Sequence, residues 1–190
     1  MVFKKLAKQL TKLFAAAELP DPDGMTASIG GTAKAAGDNT LAAGTVSNKM
    51  IDKGAYSTAK GKADFTAAGQ GSDPAAMAAT GAQVDGADYT FIATRNKGAF
   101  GGDSVAVRSV TKYIAIDIDG WAPAGGPIQI DLASVVLKAR AIAPFSGNVA
   151  SVDATASAFA DNTLSAAATD ALAVEGQYSA VTGTAVTGIA

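Results

Sequence analysis

The sequence predicts an all-β fold: an antiparallel, sandwich-like domain, with a jelly roll as one candidate topology, preceded by one N-terminal amphipathic α-helix. Three observations lead to this prediction. Runs rich in Val, Ile and Thr fill the region after residue 31, and clusters of Gly, Pro, Asp and Asn separate them. A helical period of apolar residues is clear in residues 2–16. We therefore divide the chain into a helix at 1–19, a turn-rich linker at 20–31 and a β domain at 32–190.

The N-terminal segment combines an apolar stripe with a basic surface. The stripe follows helical spacing and consists of Phe3, Leu6, Leu10, Leu13 and Phe14. Lysines occupy much of the remaining surface and interrupt the unbroken apolar stretch that a secretory signal needs. Proline at position 20 ends the predicted helix. Two interpretations stay open: the stripe docks on its own domain or on a neighbouring subunit, or residues 2–16 contact a membrane surface.

Strand-like runs dominate the rest of the chain. The clearest occupy residues 89–95, 104–119, 128–143 and 149–160. Strands average only about five or six residues, so the two longest runs are predicted to contain a bend or bulge. Residues 98–103 are predicted to form a hairpin loop and residues 120–127 a longer loop. One helical turn is predicted at residues 74–79, inside a loop at 69–88.

An internal repeat links the start and the end of the β domain. Residues 32–45 read TAKAAGDNTLAAGT and residues 155–168 read TASAFADNTLSAAA; the match continues as Gly-x-Tyr-Ser at 54–57 and 176–179. Asp-Asn between small residues is turn chemistry. The repeated unit, 32–63 and 155–185, is therefore predicted to be a strand, a turn and a strand, followed by another strand entered at Gly54 or Gly176. Duplication within one compact sandwich and pairing between the ends of successive subunits both explain it.

Composition argues against most enzyme classes. The chain has no Cys and no His, which removes the commonest metal ligands, the thiol nucleophile and the usual general base at neutral pH. Asp21-x-Asp23 and Asp117-x-Asp119 resemble fragments of a calcium loop but lack its later ligands, so turn and strand-end acids are favoured. We expect no catalytic, cofactor or metal site. The net charge of −2 gives no global field for nucleic acid, so no nucleic-acid partner is expected.

The same composition favours self-assembly. Hydrophobic residues make up 48% of the chain but aromatic residues only 6%, so the core consists of small side chains that bury little area each. The last fifteen residues carry no charge, and an uncharged strand at a chain end is an aggregation hazard unless it is paired. We therefore expect homo-oligomers or polymers, with strand donation between subunits as one mechanism. The candidate assembly residues are the helix stripe together with Tyr178, Val181, Val186 and Ile189.

The expected function is that of a non-enzymatic structural subunit of an extracellular filament, sheath or surface layer. A first alternative is a virion coat or decoration protein, which would place the chain in a virion instead of at the cell surface. A second alternative is a carbohydrate-binding sandwich. That function needs an aromatic platform, for which only Trp121, Tyr113 and Phe145 are available.

Overall fold

The computed structural model of the chain describes residues 24–119, 123–140 and 142–189. These residues form ten β-strands: β1 (Thr26–Ala36), β2 (Asn39–Asp52), β3 (Tyr56–Gln70), β4 (Ala75–Asp85), β5 (Tyr89–Phe100), β6 (Ser104–Ile118), β7 (Ile128–Ala139), β8 (Asn148–Phe159), β9 (Thr163–Val174) and β10 (Tyr178–Ile189). The prediction of an all-β, sandwich-like domain is confirmed. The predicted N-terminal helix lies outside the described residues.

The strands form two sheets that face each other. The four-stranded sheet has the order β4-β1-β10-β9 and is antiparallel throughout. The six-stranded sheet has the order β7-β5-β6-β3-β2-β8, and its pairs β2–β8 and β5–β7 are parallel. The prediction of a purely antiparallel sandwich was therefore wrong for the larger sheet. Both parallel pairs join strands that are distant in sequence, which leaves room for the crossover that a parallel pair requires.

Alternation of inward-facing and outward-facing side chains along the strands creates the core. In β2 the buried positions are the even-numbered residues from Thr40 to Met50, and in β3 the odd-numbered residues from Ser57 to Ala67 include Ala59, Ala63 and Phe65. One face of each strand thus points towards the opposite sheet. Most buried side chains are Ala, Ser or Thr, as the composition predicted. The packing of such a core depends heavily on its few large residues.

Phe65 is the central large side chain, and glycines make the space for it. Its ring is fully buried between the sheets. A Cβ atom added to Gly31 would lie 2.6 Å from the ring, and one on Gly183 would lie 3.4 Å from it. A Cβ on Gly44 would clash with the ring as well. β1, β2 and β10 each contribute one of these glycines, so the ring joins three strands of two sheets.

The two repeat copies occupy reciprocal positions in the sandwich. In the first copy, β1 lies in the four-stranded sheet, and the chain crosses to form the β2–β3 hairpin in the six-stranded sheet. In the second copy, β8 lies in the six-stranded sheet and the β9–β10 hairpin lies in the four-stranded one. Gly54 and Gly176 adopt positive φ at the entries to the third strands. The predicted pattern of strand, turn, strand and further strand is present in both copies, and both lie in one sandwich.

Three local predictions differ from the structure. Residues 75–79 belong to β4 and not to a helical turn, because β4 pairs with β1 over its whole length. The bend or bulge predicted for residues 104–119 is absent from β6, which runs continuously over 15 residues. β3 has the same length and pairs with β6 residue by residue. Strand structure begins at Thr26, so the predicted linker extends too far towards the C-terminus. The hairpin loop predicted at residues 98–103 is present but shorter, at 101–103, because residues 98–100 belong to β5.

Candidate interaction surface

The final strand lies at the centre of its sheet. β10 pairs with β1 along one edge and with β9 along the other, so in this structure neither edge is open to a neighbour. Val181, Val186 and Ile189 are buried, and Tyr178 is half-buried at the start of the strand. The predicted paired strand is confirmed. A role for these residues in assembly is not tested by a single chain and stays a prediction.

The other predicted site residues are scattered. The stripe of Phe3, Leu6, Leu10, Leu13 and Phe14 lies outside the described residues, as do Asp21, Asp23 and Trp121. Asp117 lies near the end of β6, and Asp119 lies in the turn that follows. Tyr113 is buried in the core and Phe145 is half-buried in the loop after β7, so these two rings do not form a shared exposed platform. Within the described ranges, no three acidic side chains come together in a group that would hold a metal ion.

The six-stranded sheet extends beyond the smaller sheet on one side. β4, the edge strand of the smaller sheet, contacts β3 and β6, and Thr80 bonds the hydroxyls of Ser109 and Thr111. Beyond it, the inward-facing side of β7 and of the end of β5 at Phe100 is uncovered, whereas Thr90 and Ile92 of β5 are buried. Phe100, Val135 and Leu137 on this side are 52%, 66% and 69% exposed. We call this uncovered inner surface the ledge.

β7 is an apolar edge strand with both of its faces exposed. It pairs with β5 alone, so its other edge offers free backbone donors and acceptors. Ile128, Ile130 and Leu132 are exposed on the outer face, opposite the ledge, beside Phe91 and Ile114 of neighbouring strands. Native edge strands are usually protected by charge, Pro, bulges or covering elements. β7 carries two charged residues, Asp131 and Lys138, among exposed Ile, Val and Leu side chains, and within the described part of the fold no second sheet covers it.

The outer face of the six-stranded sheet is strongly basic. Strand alternation and register place these Lys and Arg side chains on it: Lys49, Lys60, Lys62, Arg95, Lys97, Arg108, Lys112 and Lys138. Arg140 follows at the end of β7 and lines the same surface. Only Asp64 and Asp153 bring negative charge to this face within the strands. The net charge of the chain therefore does not show that cations are concentrated on one face of the larger sheet. The sequence analysis, which used the net charge alone, did not predict this basic face.

Asp64 binds two of the cations on this face in ion pairs. Its two oxygens accept bonds from Nε and Nη2 of Arg108 at 2.7 and 2.6 Å, and Lys62 Nζ lies 3.0 Å from Oδ2. The hydrogen bond from Arg108, reinforced by Lys62 and opposed by partial burial, lowers the pKa of Asp64 from 3.8 to about 2. The group therefore stays ionised well into the acidic range.

This ion pair gives a pH-dependent prediction. The pKa of Asp64 is depressed in the folded state, so its contribution to stability is complete above pH 3.8 and is lost as pH falls towards 2. Asp64→Asn should lower the free energy of unfolding by about 1 kcal/mol at pH 7, since both cations are half-exposed. Urea denaturation at several pH values should show the gap closing below about pH 4. A gap that stays constant down to pH 2 would contradict the assignment, and Asp153→Asn is the matched control.

Part of this surface has a signal in the sequence. Cations at alternate positions, Lys60 with Lys62 and Arg95 with Lys97, indicate one exposed face on each strand. Which strands lie side by side depends on long-range pairing, which this spacing does not reveal.

Among the described residues, there is no helix with the length and hydropathy to span a membrane. No protein-family model matches the chain, and no curated protein or solved structure matches it.

Proposed function

We propose that the chain is a non-enzymatic structural subunit that self-assembles into homo-oligomers or a polymer, such as an extracellular filament, sheath or surface layer. The observation that carries the proposal is β7, whose two faces and one edge are exposed although the strand is rich in Ile, Val and Leu. Large exposed apolar surfaces on soluble proteins mark interaction sites. A free strand edge adds directional backbone bonding to such a contact.

A second copy of the chain is the occupant that this surface fits. Two ledges placed face to face, at the spacing of about 10 Å that separates packed sheets, would cover Phe100, Val135 and Leu137 of both copies. β7 of one copy would then lie beside β4 of the other, whose outer edge is also unpaired. Such an arrangement continues the smaller sheet across the subunit boundary. It supplies the covering layer that each monomer lacks.

The N-terminal stripe gives a second contact in this proposal. Docking the stripe of Phe3, Leu6 and Leu10 on a neighbour would link successive subunits. Strand donation by β10 has less support, because it would require opening two paired edges.

A virion coat or decoration subunit is the second candidate. It shares the assembly step, and the basic outer face favours it because the inner surface of a shell meets a polyanionic genome.

The carbohydrate-binding alternative loses support, since Tyr113 is buried and is not available to stack on a sugar.

Charge on the ledge should prevent assembly. Val135→Asp with Leu137→Asp places two carboxylates where an apolar contact is proposed, and burying such a group costs several kcal/mol. Both side chains are mostly exposed in the monomer, so the fold should be retained. Sedimentation velocity should show the parent as oligomers and the double variant mainly as an 18.7 kDa monomer.

The matched control is Val149→Asp with Leu172→Asp, which introduces the same charges at exposed Val and Leu positions of β8 and β9. This control should assemble like the parent. If the ledge variant assembled as well as the parent and the control, the ledge would not be the contact. Circular dichroism of all three proteins checks that the strands are intact.

A further inference from the structure

Like charges lie directly opposite each other at three positions of the basic outer face. Lys49 of β2 pairs with Lys60 of β3, and Lys62 of β3 pairs with Lys112 of β6. Lys97 of β5 pairs with Arg108 of β6. Such directly opposed like charges destabilise a sheet. Only Asp64 offsets them by ion pairing among the described residues, through Lys62 and Arg108.

These cations form a diagonal track across five strands. One groove, of about 470 Å³, is lined by Lys49, Lys60, Lys62 and Lys112 together with Ser47, Thr155 and Ser157. A second groove, of about 280 Å³, is lined by Arg95, Lys97, Arg108, Lys138 and Arg140. Strand spacing of about 4.8 Å and a rise of about 3.4 Å per residue give the track a length on the order of 30 Å. We call this set of cations the basic track.

The shape of the track fits a linear polyanion. A single phosphate or carboxylate would engage one or two of its cations and leave the other like-charge pairs unrelieved. An extended chain with a negative charge at every unit can follow the diagonal and neutralise all three pairs in turn. Lys binds phosphate as a point charge, and Arg adds planar two-point contacts. Serine and threonine hydroxyls in the first groove add neutral donors.

An exposed aromatic ring beside the track, that of Phe91, favours a nucleic acid among such polyanions. Phe91 lies on the same face, directly opposite Ile114, which in turn lies opposite Lys60. The next outward residue of β5, Ala93, lies opposite Lys112, so the Phe91 ring is a diagonal neighbour of that lysine. Proteins that bind single strands combine a basic groove with aromatic rings on which bases stack.

We propose that the basic track binds single-stranded nucleic acid without sequence preference, with phosphates on the cations and a base on Phe91. The net charge of −2 led to the opposite expectation, because it averages over acids that lie in turns and on other surfaces. The track lies on the outer face and the ledge on the inner one. Binding to the track therefore does not rest on the proposed assembly, and the two are tested by different variants.

The test uses the full chain with Lys60→Gln and Lys112→Gln, which removes one member of two like-charge pairs while keeping most of each side-chain stem. Fluorescence anisotropy with a labelled oligothymidine should show at least a tenfold loss of affinity at low salt. The slope of log affinity against log salt should fall by about 1.4, since each phosphate contact on a single strand contributes about 0.7. The melting temperature of the free double variant should equal or exceed that of the parent, because repulsion is relieved.

The matched control is Lys34→Gln with Lys53→Gln, which removes the same charge from outside the basic track and should bind within twofold of the parent. Every variant keeps the N-terminal lysines, so any contribution of these lysines to oligonucleotide binding is the same in all the proteins compared. Failure of the parent to bind the oligonucleotide, or equal losses in both double variants, would overturn the proposal. Sedimentation velocity of the Lys60/Lys112 variant should match the parent, which separates this result from any failure of assembly.

Phe91→Leu tests the choice of nucleic acid. Loss of one stacked base should weaken oligonucleotide binding at least about fivefold, and the loss should persist at high salt. A sulfated polysaccharide and phosphatidylserine vesicles are the other probes. If either bound more tightly than the oligonucleotide at equal salt, or if Phe91→Leu had no effect, the nucleic-acid assignment would be wrong.

Discussion

Phe65→Ala is expected to lower the free energy of unfolding by about 3–5 kcal/mol, a large part of the roughly 5–15 kcal/mol that holds a domain of this kind together. The ring is fully buried and is surrounded by Gly31, Gly44 and Gly183. Glycines have no side chain that could move into the cavity, so the void stays unfilled. Urea denaturation followed by circular dichroism measures the change.

Phe159→Ala is the control for this substitution. Phe159 is exposed on β8, where the ammonium of Lys49 lies 5.1 Å from its ring centre. Loss of the Phe159 ring should lower the free energy of unfolding by at most about 1 kcal/mol. Equal destabilisation by the two substitutions would show that Phe65 does not have the central packing role derived from its glycine surroundings.

Asn48→Leu is expected to lower the free energy of unfolding by about 2–3 kcal/mol, because it removes a buried polar link between the sheets. Nδ2 of Asn48 donates to the carbonyl oxygens of Ala27 on β1 and Ala185 on β10 at 2.9 and 3.2 Å. Its Oδ1 accepts a hydrogen bond from the Tyr113 hydroxyl. Burial raises the pKa of Tyr113 above 10.0, so the hydroxyl remains a donor throughout the neutral range.

A double-mutant cycle tests this link. Tyr113→Phe alone leaves the Asn48 oxygen without its buried donor, whereas the double variant removes both partners together. The double variant should therefore be more stable than the sum of the single losses predicts, by at least about 1 kcal/mol. Strict additivity in urea denaturation would mean that the two side chains contribute independently.

Local sequence signals predicted the strands that have regular alternation and sharp turns. The β5–β6 hairpin and the entries at Gly54 and Gly176 were visible because glycine is favoured where φ is positive. β4 was misread because its first five residues, AAMAA, have high helix propensity, while pairing with β1 determines their conformation. Tertiary pairing overrides propensity in such a segment.

The long-range features were less accessible to sequence reasoning. The lack of charge in β10 suggested a donated strand, yet a central strand whose two edges are paired and whose inner face is buried has the same composition. The ledge depends on the unequal widths of the two sheets. The basic track depends on the order β7-β5-β6-β3-β2, which brings cations from distant segments together.

The mass of the parent chain in solution tests the claim of self-assembly most directly. Sedimentation velocity over a range of micromolar concentrations, with negative-stain microscopy of the same samples, reports both size and shape. The account predicts species at multiples of 18.7 kDa that grow with concentration and appear as regular particles or fibres. A single 18.7 kDa species at every concentration would contradict it.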